Sequence, residues 1–254
     1  MTIDERRSFI ERRLHSAGKL SYDVLAEELG VSEMTIRRDV EVLEEQGKLR
    51  RVLGGVIPFV SKGEEPSFES RLIQGADEKR HIADAVVALL EPHETVILDG
   101  GSTVLAVARA ISGKGLGLTV VTSSVLAALE LADEPETSIF LTGGALRPGE
   151  LSLIGTETQT ALQQYNCDTY IAGVAGVHAT RGFSDYNSEE SSVKRAAIAS
   201  ADRVIVPVDS SKLGKTNLVS IAPLSAASII VTDGPRDHAL LAAARRIGVE
   251  VIHC

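Results

Sequence analysis

Residues 95–111 read "TVILDGGSTVLAVARAI". A short apolar, β-type run ends at Asp99. Gly100, Gly101, Ser102 and Thr103 follow, and a helical stretch begins near residue 103. A strand that feeds a glycine-rich turn and then a helix is the repeating unit of a doubly wound, mostly parallel sheet. The same alternation extends in both directions. Strands are expected at 95–99, 118–122, 137–141, 168–174, 203–209, 228–233 and 249–253. Helices are expected near 103–111, 124–132, 156–165, 188–201 and 236–247, and "ADEKRHIADAVVALLEP" adds an amphipathic helix that stops before Pro92.

In such sheets ligands bind beyond the carboxyl ends of the strands. Asp99-Gly100-Gly101-Ser102-Thr103 follows the first strand, Thr122-Ser123-Ser124 the second and Thr142-Gly143-Gly144 the third. Glycines admit a ligand close to the backbone, helix-start N–H groups attract anions, and hydroxyls add donors. Three such turns on one edge point to a pocket for an anionic ligand. There is no GxxxxGK[ST] phosphate loop.

A second cluster is "GFSDYNSEESSVKRAAIASA", with Asp185, Glu190 and Lys194. Glu190 and Lys194 stand four apart, which suits a plain surface ion pair. The alternative is that Asp185, Glu190 and Lys194 line the pocket and Lys194 supplies a cation for a phosphate. "VDSSKLGK" offers Asp209 and Lys212 with the same two readings. The six histidines and two cysteines have no metal-ligand spacing, and no GxSxG nucleophile elbow is present.

The N-terminal 57 residues have a different texture. "IDERRSFIERRLHSAG" places Phe9, Ile10 and Leu14 on one face and closes at Gly18. "SYDVLAEELG" opens with Ser21 as N-cap and closes at Gly30. "SEMTIRRDVEVLEEQG" opens with Ser32 and ends at Gly47, with Ile36, Val40 and Leu43 on its core face. Arg38 lies opposite that stripe, with Met34, Thr35 and Arg37 beside it, whereas Glu41, Glu44 and Glu45 make the far end acidic. A helix of this polarity suits entry of its N-terminal half into a major groove, and two helices joined by a glycine turn form a helix-turn-helix. "KLRRVLGGVI" then reads as a hairpin turning at Gly54-Gly55, a wing whose Lys48, Arg50 and Arg51 face phosphates. Residues 58–75 read as a linker entering a helix, and 76–254 as the α/β domain.

The chain has 254 residues, 44% hydrophobic and 24% charged, with a net charge of −9. That sign opposes nucleic-acid binding only on average. Residues 1–57 hold 10 basic and 11 acidic residues against 16 and 24 in the remainder, and DNA reads a local surface. The N-terminus has no apolar signal region, no run spans a bilayer, and Cys167 and Cys254 alone make no disulfide framework, so a cytoplasmic location is expected.

The assembled pattern resembles the DeoR family of bacterial transcriptional regulators nearly end to end. "LAEELGVSEMTIRRDVEVLEEQGKLRRVLGG" looks like its helix-turn-helix signature. "ILDGGSTVLAVARAI", "VVTSS", "LTGGALRPGELSLIG", "NSEESSVKRAAI" and "VPVDSSKLGK" are similar to successive motifs of its sensor domain, itself similar to ribose-phosphate isomerases and glucosamine-phosphate deaminases. The resemblance implies a repressor of a carbohydrate or polyol catabolic operon, released by a phosphorylated sugar or polyol. Two positions depart from the family pattern: Gly100-Gly101-Ser102-Thr103 stands where Ser-Gly-Thr-Thr is common, and Ser123 where Asn is common. Each removes or shortens a side chain that could meet the sugar.

The resulting expectation is a regulator that binds double-stranded operator DNA as a dimer or tetramer and needs no cofactor. Ser32, Met34, Thr35, Arg37, Arg38, Arg50 and Arg51 face DNA. Asp99, Gly100, Gly101, Ser102, Thr103, Thr122, Ser123, Ser124, Gly143, Gly144, Asp185, Glu190, Lys194 and Lys212 line the effector pocket. The alternative is a sugar-phosphate isomerase or deaminase with an appended DNA-binding arm.

Overall fold

The computed structural model describes residues 2–46, 48–58 and 64–254. The chain divides into two compact units, Met1–Pro66 and Ser67–Cys254. In the first, α1 spans Ile3–Ala17, β1 Leu20–Ser21, α2 Tyr22–Leu29, α3 Glu33–Glu45, β2 Leu49–Val52 and β3 Gly55–Pro58. A capping box starts α1: the Thr2 hydroxyl accepts from Glu5 N, and the Glu5 carboxylate accepts from Thr2 N at 2.7 Å. Gly18 ends α1 at φ 70° and Gly30 ends α2 at φ 63°, both in the left-handed region that glycine enters without strain. Ile10, Leu25, Ile36, Val40, Leu43, Leu49 and Val56 have no exposed surface. Each such side chain contributes about 1.5–3 kcal/mol of burial.

Two local details differ from expectation. Ser21 occupies the N-cap position of α2 but makes no side-chain cap bond; its backbone joins a three-stranded sheet of order β1-β3-β2. Only Gly54 (φ 79°) belongs to the hairpin turn. Gly55 is the first residue of β3, where a Cβ would lie 2.1 Å from the Leu20 carbonyl oxygen. Gly47, expected to end α3, lies outside the described residues, as do 59–63 of the expected linker.

The second unit opens with α4 (Phe68–Ile73), so part of the expected linker is helix, and α5 (Ala76–Val87). There follow β4 (Thr95–Leu98), α6 (Ser102–Ile111), β5 (Thr119–Thr122), α7 (Val125–Glu130), β6 (Ser138–Leu141), β7 (Ala145–Arg147), β8 (Ser152–Ile154), α8 (Thr156–Leu162) and β9 (Cys167–Ile171). The chain continues through β10 (Gly176–His178), β11 (Gly182–Asp185), α9 (Ser188–Ala199), β12 (Ala201–Pro207), a 3-10 turn (Ser210–Lys212), β13 (Val219–Ala222), β14 (Ile229–Thr232), α10 (Ala239–Arg246) and β15 (Glu250–His253).

Seven strands form one sheet of order β15-β14-β12-β9-β4-β5-β6, parallel throughout. Alternate residues feed opposite faces. Val96, Leu98, Val120, Ile171, Ile205 and Val231 pack with α5, α6 and α7, whereas Ile97, Val121, Tyr170, Val204, Val206 and Ile230 pack with α8, α9 and α10. Both faces are buried, which is why these strands read as continuous apolar runs. Five further strands were not anticipated: the hairpin β7-β8 and the antiparallel sheet β10-β11-β13. Both arise from the segments that leave the carboxyl ends of the main strands.

Candidate functional site

The first unit presents the start of α3. Ser32 caps it, its hydroxyl accepting from Thr35 N at 3.2 Å and lying 3.0 Å from the Thr35 hydroxyl. Met34 is 62% exposed. Arg38 is exposed and makes no hydrogen bond or ion pair among the described residues, so its guanidinium is available to a partner. Arg37 is held back: it stacks on the Tyr22 ring, 4.2 Å from its centroid, and bonds Glu33 at 3.3 Å. The wing arginines separate in the same way. Arg50 is exposed without an ion pair among the described residues. Arg51 bonds the Glu44 carboxylate and lies 3.5 Å from Glu41, so its expected phosphate contact competes with two acids of α3. Hydrogen bonds from the Arg51 backbone and side chain lower the Glu44 pKa. Sequence reading missed the clamp behind this surface: buried Asp39 accepts from Arg6 at 2.5 Å and Arg7 at 3.0 Å, fixing α3 to α1.

In the second unit the winding direction reverses at β4 and β9, and Asp99 follows β4 at that point. Its Oδ2 accepts from the Tyr170 hydroxyl at 2.8 Å, Gly173 N at 2.9 Å and Lys194 Nζ at 2.6 Å, and its Oδ1 accepts from Gly100 N at 2.8 Å. Lys194 also lies 3.5 Å from Asp185. It is therefore neither a surface lysine nor half of a Glu190 pair. It is buried, and its charge is met by two buried acids. Burial alone would lower its pKa; Asp99, Asp185 and Glu190 together outweigh burial and raise it above the usual lysine value. Glu190 accepts from the Ser152 hydroxyl at 2.7 Å and pairs with Arg147 at 2.7 Å. Burial pushes its pKa up, but Lys194, Ser152 and Arg147 bring it below the ordinary glutamate value.

Beside these acids begins α6. Gly101 (φ 100°) is its N-cap, and the first intrahelical bond runs from Leu105 N to the Gly101 carbonyl at 2.9 Å. The amides of Ser102, Thr103 and Val104 thus have no acceptor within the helix and carry its positive dipole end. Gly173 must lack a side chain, since a Cβ would stand 2.6 Å from the Gly100 carbonyl oxygen. Lys212 is half-buried at the end of the 3-10 turn and makes no close ion pair among the described residues. Burial lowers its pKa against the opposing pull of Asp209. The site thus combines anion-attracting amides, one uncommitted lysine and a row of fixed carboxylates.

Residues 74–234 match the family model of the DeoR C terminal sensor domain, and residues 6–61 match that of the DeoR-like helix-turn-helix domain. The chain belongs to the DeoR family. It is 33% identical over 250 residues to a putative aga operon transcriptional repressor of Escherichia coli O157:H7, covering 98% of this chain and 93% of that one. It is 32% identical to the transcriptional regulator GlpR of Haloferax volcanii, covering 93% and 92%. It is 31% identical to the repressor GlcR of Bacillus subtilis, covering 99% and 96%. The solved ribose 5-phosphate isomerase A of Methanocaldococcus jannaschii aligns over 55% of either chain at 19% identity with a TM-score of 0.40. This DeoR-family chain is a DNA-binding transcriptional regulator.

Several expected pocket residues have other duties in this DeoR-family sensor unit. The Thr122 hydroxyl donates to the Leu98 carbonyl at 2.7 Å and accepts from Ser124 N at 3.0 Å, and the Ser124 hydroxyl caps α7 at Ala127 N. Both serve the turn itself; of the three, only the buried Ser123 hydroxyl has no protein partner among the described residues. Gly144 is a packing residue, whereas Gly143 has open space at its Cα and contributes its carbonyl. The Gly143 carbonyl accepts from Thr158 at 2.7 Å, and a Cβ on Gly144 would stand 2.0 Å from the Thr158 hydroxyl oxygen. Conversely, Tyr170, Arg147 and Ser152 belong to the site and were not foreseen. Burial and the neighbouring Asp99 raise the Tyr170 pKa well above its usual value, which keeps it a neutral donor.

Proposed function

We propose that this regulator represses a carbohydrate or polyol catabolic operon and leaves its operator when a phosphorylated sugar or polyol fills the sensor pocket. One observation carries the reading: the open N-terminus of α6 follows directly on Asp99, which Lys194 joins to Asp185, and the preceding Gly100 lies against Ser152, the donor to Glu190. The amides of Ser102–Val104, the Ser123 hydroxyl and the Lys212 ammonium offer donors to a phosphate. Asp185 and Glu190 offer acceptors to hydroxyls, and Lys194 and Asp99 hold that row in place. On the DNA side, Arg38 reads base edges while Ser32, Met34 and Thr35 flank it, and Arg50 grips phosphate. Relatives named as repressors support the sign of regulation. The protein works in the cytoplasm as a homo-oligomer, because one recognition helix spans too few base pairs for useful specificity.

The test is fluorescence anisotropy on a DNA site selected from random sequence, titrated with matched pairs of phosphorylated and free sugars and polyols. Release by one or more phosphorylated members and not by their free counterparts is the expected result. Equal release by free sugars, or none by any phosphorylated compound, overturns the effector assignment.

A further inference from the structure

We infer that β6 is an association edge, along which the sensor unit pairs antiparallel with β6 of a second copy of this chain. The inference rests on the oligomeric reading given above and names its surface. β6 is the terminal strand of the seven-stranded sheet and pairs only with β5 among the described residues. Ser138 N and Thr142 N point inward to the Leu118 and Thr122 carbonyls at 3.0 and 2.9 Å. By strand alternation the backbone groups of Ile139 and Leu141 point outward.

Exposed edges are normally guarded by charge, proline or a bulge. The opposite edge follows that rule: β15 carries exposed Glu250, and its His253 is bonded to Arg245 at 2.8 Å. β6 has no guard. Its register is regular, and residues 137–146 contain no Asp, Glu, Lys, Arg or Pro. Both of its faces are apolar and half exposed. Phe140 is 45% exposed with its ring 5.8 Å from that of Tyr165, Leu141 on the other face is 46% exposed, and Leu129 of α7, a helix packed against β6, is 67% exposed. These three side chains leave about 300 Å² of apolar surface per copy, enough for the centre of an interface of roughly 800 Å² per partner.

The occupant follows from charge and symmetry. Two copies carrying −9 each repel through their acidic surfaces, and this stretch carries no charge to add to that repulsion. The outward residues flank Phe140 evenly, so the strand is complementary to itself. Ile139 faces Leu141 of the second copy in a hydrogen-bonded pair, the reverse pair repeats it, and Phe140 faces its own mate at the dyad. The result is one continuous sheet across two sensor units.

Sedimentation of the full chain, free of DNA, tests the edge with Phe140→Lys and Leu141→Lys, whose positions are half exposed. Each is expected to halve the mass of the wild-type assembly while leaving the circular dichroism spectrum unchanged, the melt shifting only as loss of association requires. A second measurement uses thiol cross-linking in a Cys254→Ser background. Phe140→Cys is expected to give a covalent dimer on oxidation, since a non-hydrogen-bonded pair sets Cα atoms about 4.5 Å apart. Ser138→Cys, displaced from its mate by four residues or about 13 Å, is expected to give none. A monomeric wild type overturns the oligomer reading itself. An oligomer that survives both lysines, or cross-links at 138 and not at 140, overturns only this edge.

Discussion

Lys194→Met removes one ammonium and leaves two buried acids. In the wild type, Asp99 and Asp185 side chains are 6% and 7% exposed and share the 7% exposed Lys194. Losing one partner of a buried pair costs about 3–5 kcal/mol, because the other charge stays desolvated. Asp99 keeps Tyr170, Gly173 and Gly100 as donors, and Asp185 keeps Tyr186 N at 2.7 Å, which places the cost near the lower end, about 3 kcal/mol. For a unit of this size the melting temperature falls by about 6–12 °C. The pH dependence follows from the direction of the shifts. The Lys194 pKa is raised on folding, so its contribution is fully present below the ordinary lysine value of about 10.4 and constant between pH 5 and 8. In the variant, an unpaired buried carboxylate titrates above its ordinary value of about 3.9, so the folded state gains stability as pH falls through that raised value. Scanning calorimetry of both proteins at pH 8 and pH 5 is therefore expected to find a smaller gap at pH 5. Melting within about 2 °C of wild type at pH 8, or a gap that widens on acidification, would refute the buried-hub reasoning.

Lys212→Ala, at a half-buried position, is expected to leave the melt almost unchanged. It should raise the effector concentration for half-release by roughly tenfold or more, the loss of a charge-assisted contact, as read by anisotropy. Arg38→Ala is expected to weaken specific DNA binding by about 1–3 kcal/mol, whereas Arg50→Ala should weaken all sequences alike and reduce the salt slope by about 1; salt-dependent anisotropy separates them. Arg51→Ala, whose guanidinium Glu44 and Glu41 occupy, should change the salt slope less than Arg50→Ala does. Lys79 is buried, donates to the Arg71 and Gln74 carbonyls, and has its pKa lowered to about 8, chiefly by burial. Between about pH 8 and 10.4 the unfolded chain binds more protons at this site, so wild-type stability rises there by up to about 3 kcal/mol; urea unfolding is expected to find that rise missing in Lys79→Met.

The inner sheet strands and their helices were legible because burial on both faces leaves an uninterrupted apolar run at each strand, with glycine or hydroxyl residues at each turn; the half-exposed edge strands β6 and β15 were legible from their β-type residues. The start of α3 was legible because Ser32, Ile36, Val40 and Leu43 are local signals within one helix. Pairings between distant segments were not. Lys194 and Asp99 are 95 positions apart, and Ser152 and Glu190 are 38 apart. The i,i+4 spacing of Glu190 and Lys194 suggested a surface pair, yet the fold turns each toward a different partner. Strands such as β10 and β11 have three and four residues, too short for a period-two pattern to register. Arg37 and Arg51 look equivalent to Arg38 and Arg50 in sequence. They differ only because Tyr22, Glu33 and Glu44 happen to lie within reach after folding.

The way the acids are held bears on sensing as opposed to turnover. A general base must release and regain a proton near its working pH, and a general acid must start protonated. Glu190 does neither readily: Lys194, Ser152 and Arg147 keep its pKa below the ordinary value. Asp99 is engaged by four donors, so its oxygens already have the partners that a reacting proton would need to displace. Tyr170, kept neutral, serves as one of those donors. A row of acceptors already held by their own donors is poorly suited to shuttle protons but well suited to recognise hydroxyl groups in a fixed geometry, and it leaves the recognised molecule unchanged. A regulator needs that combination, because an effector consumed on contact would erase the signal before the helix-turn-helix could respond to it.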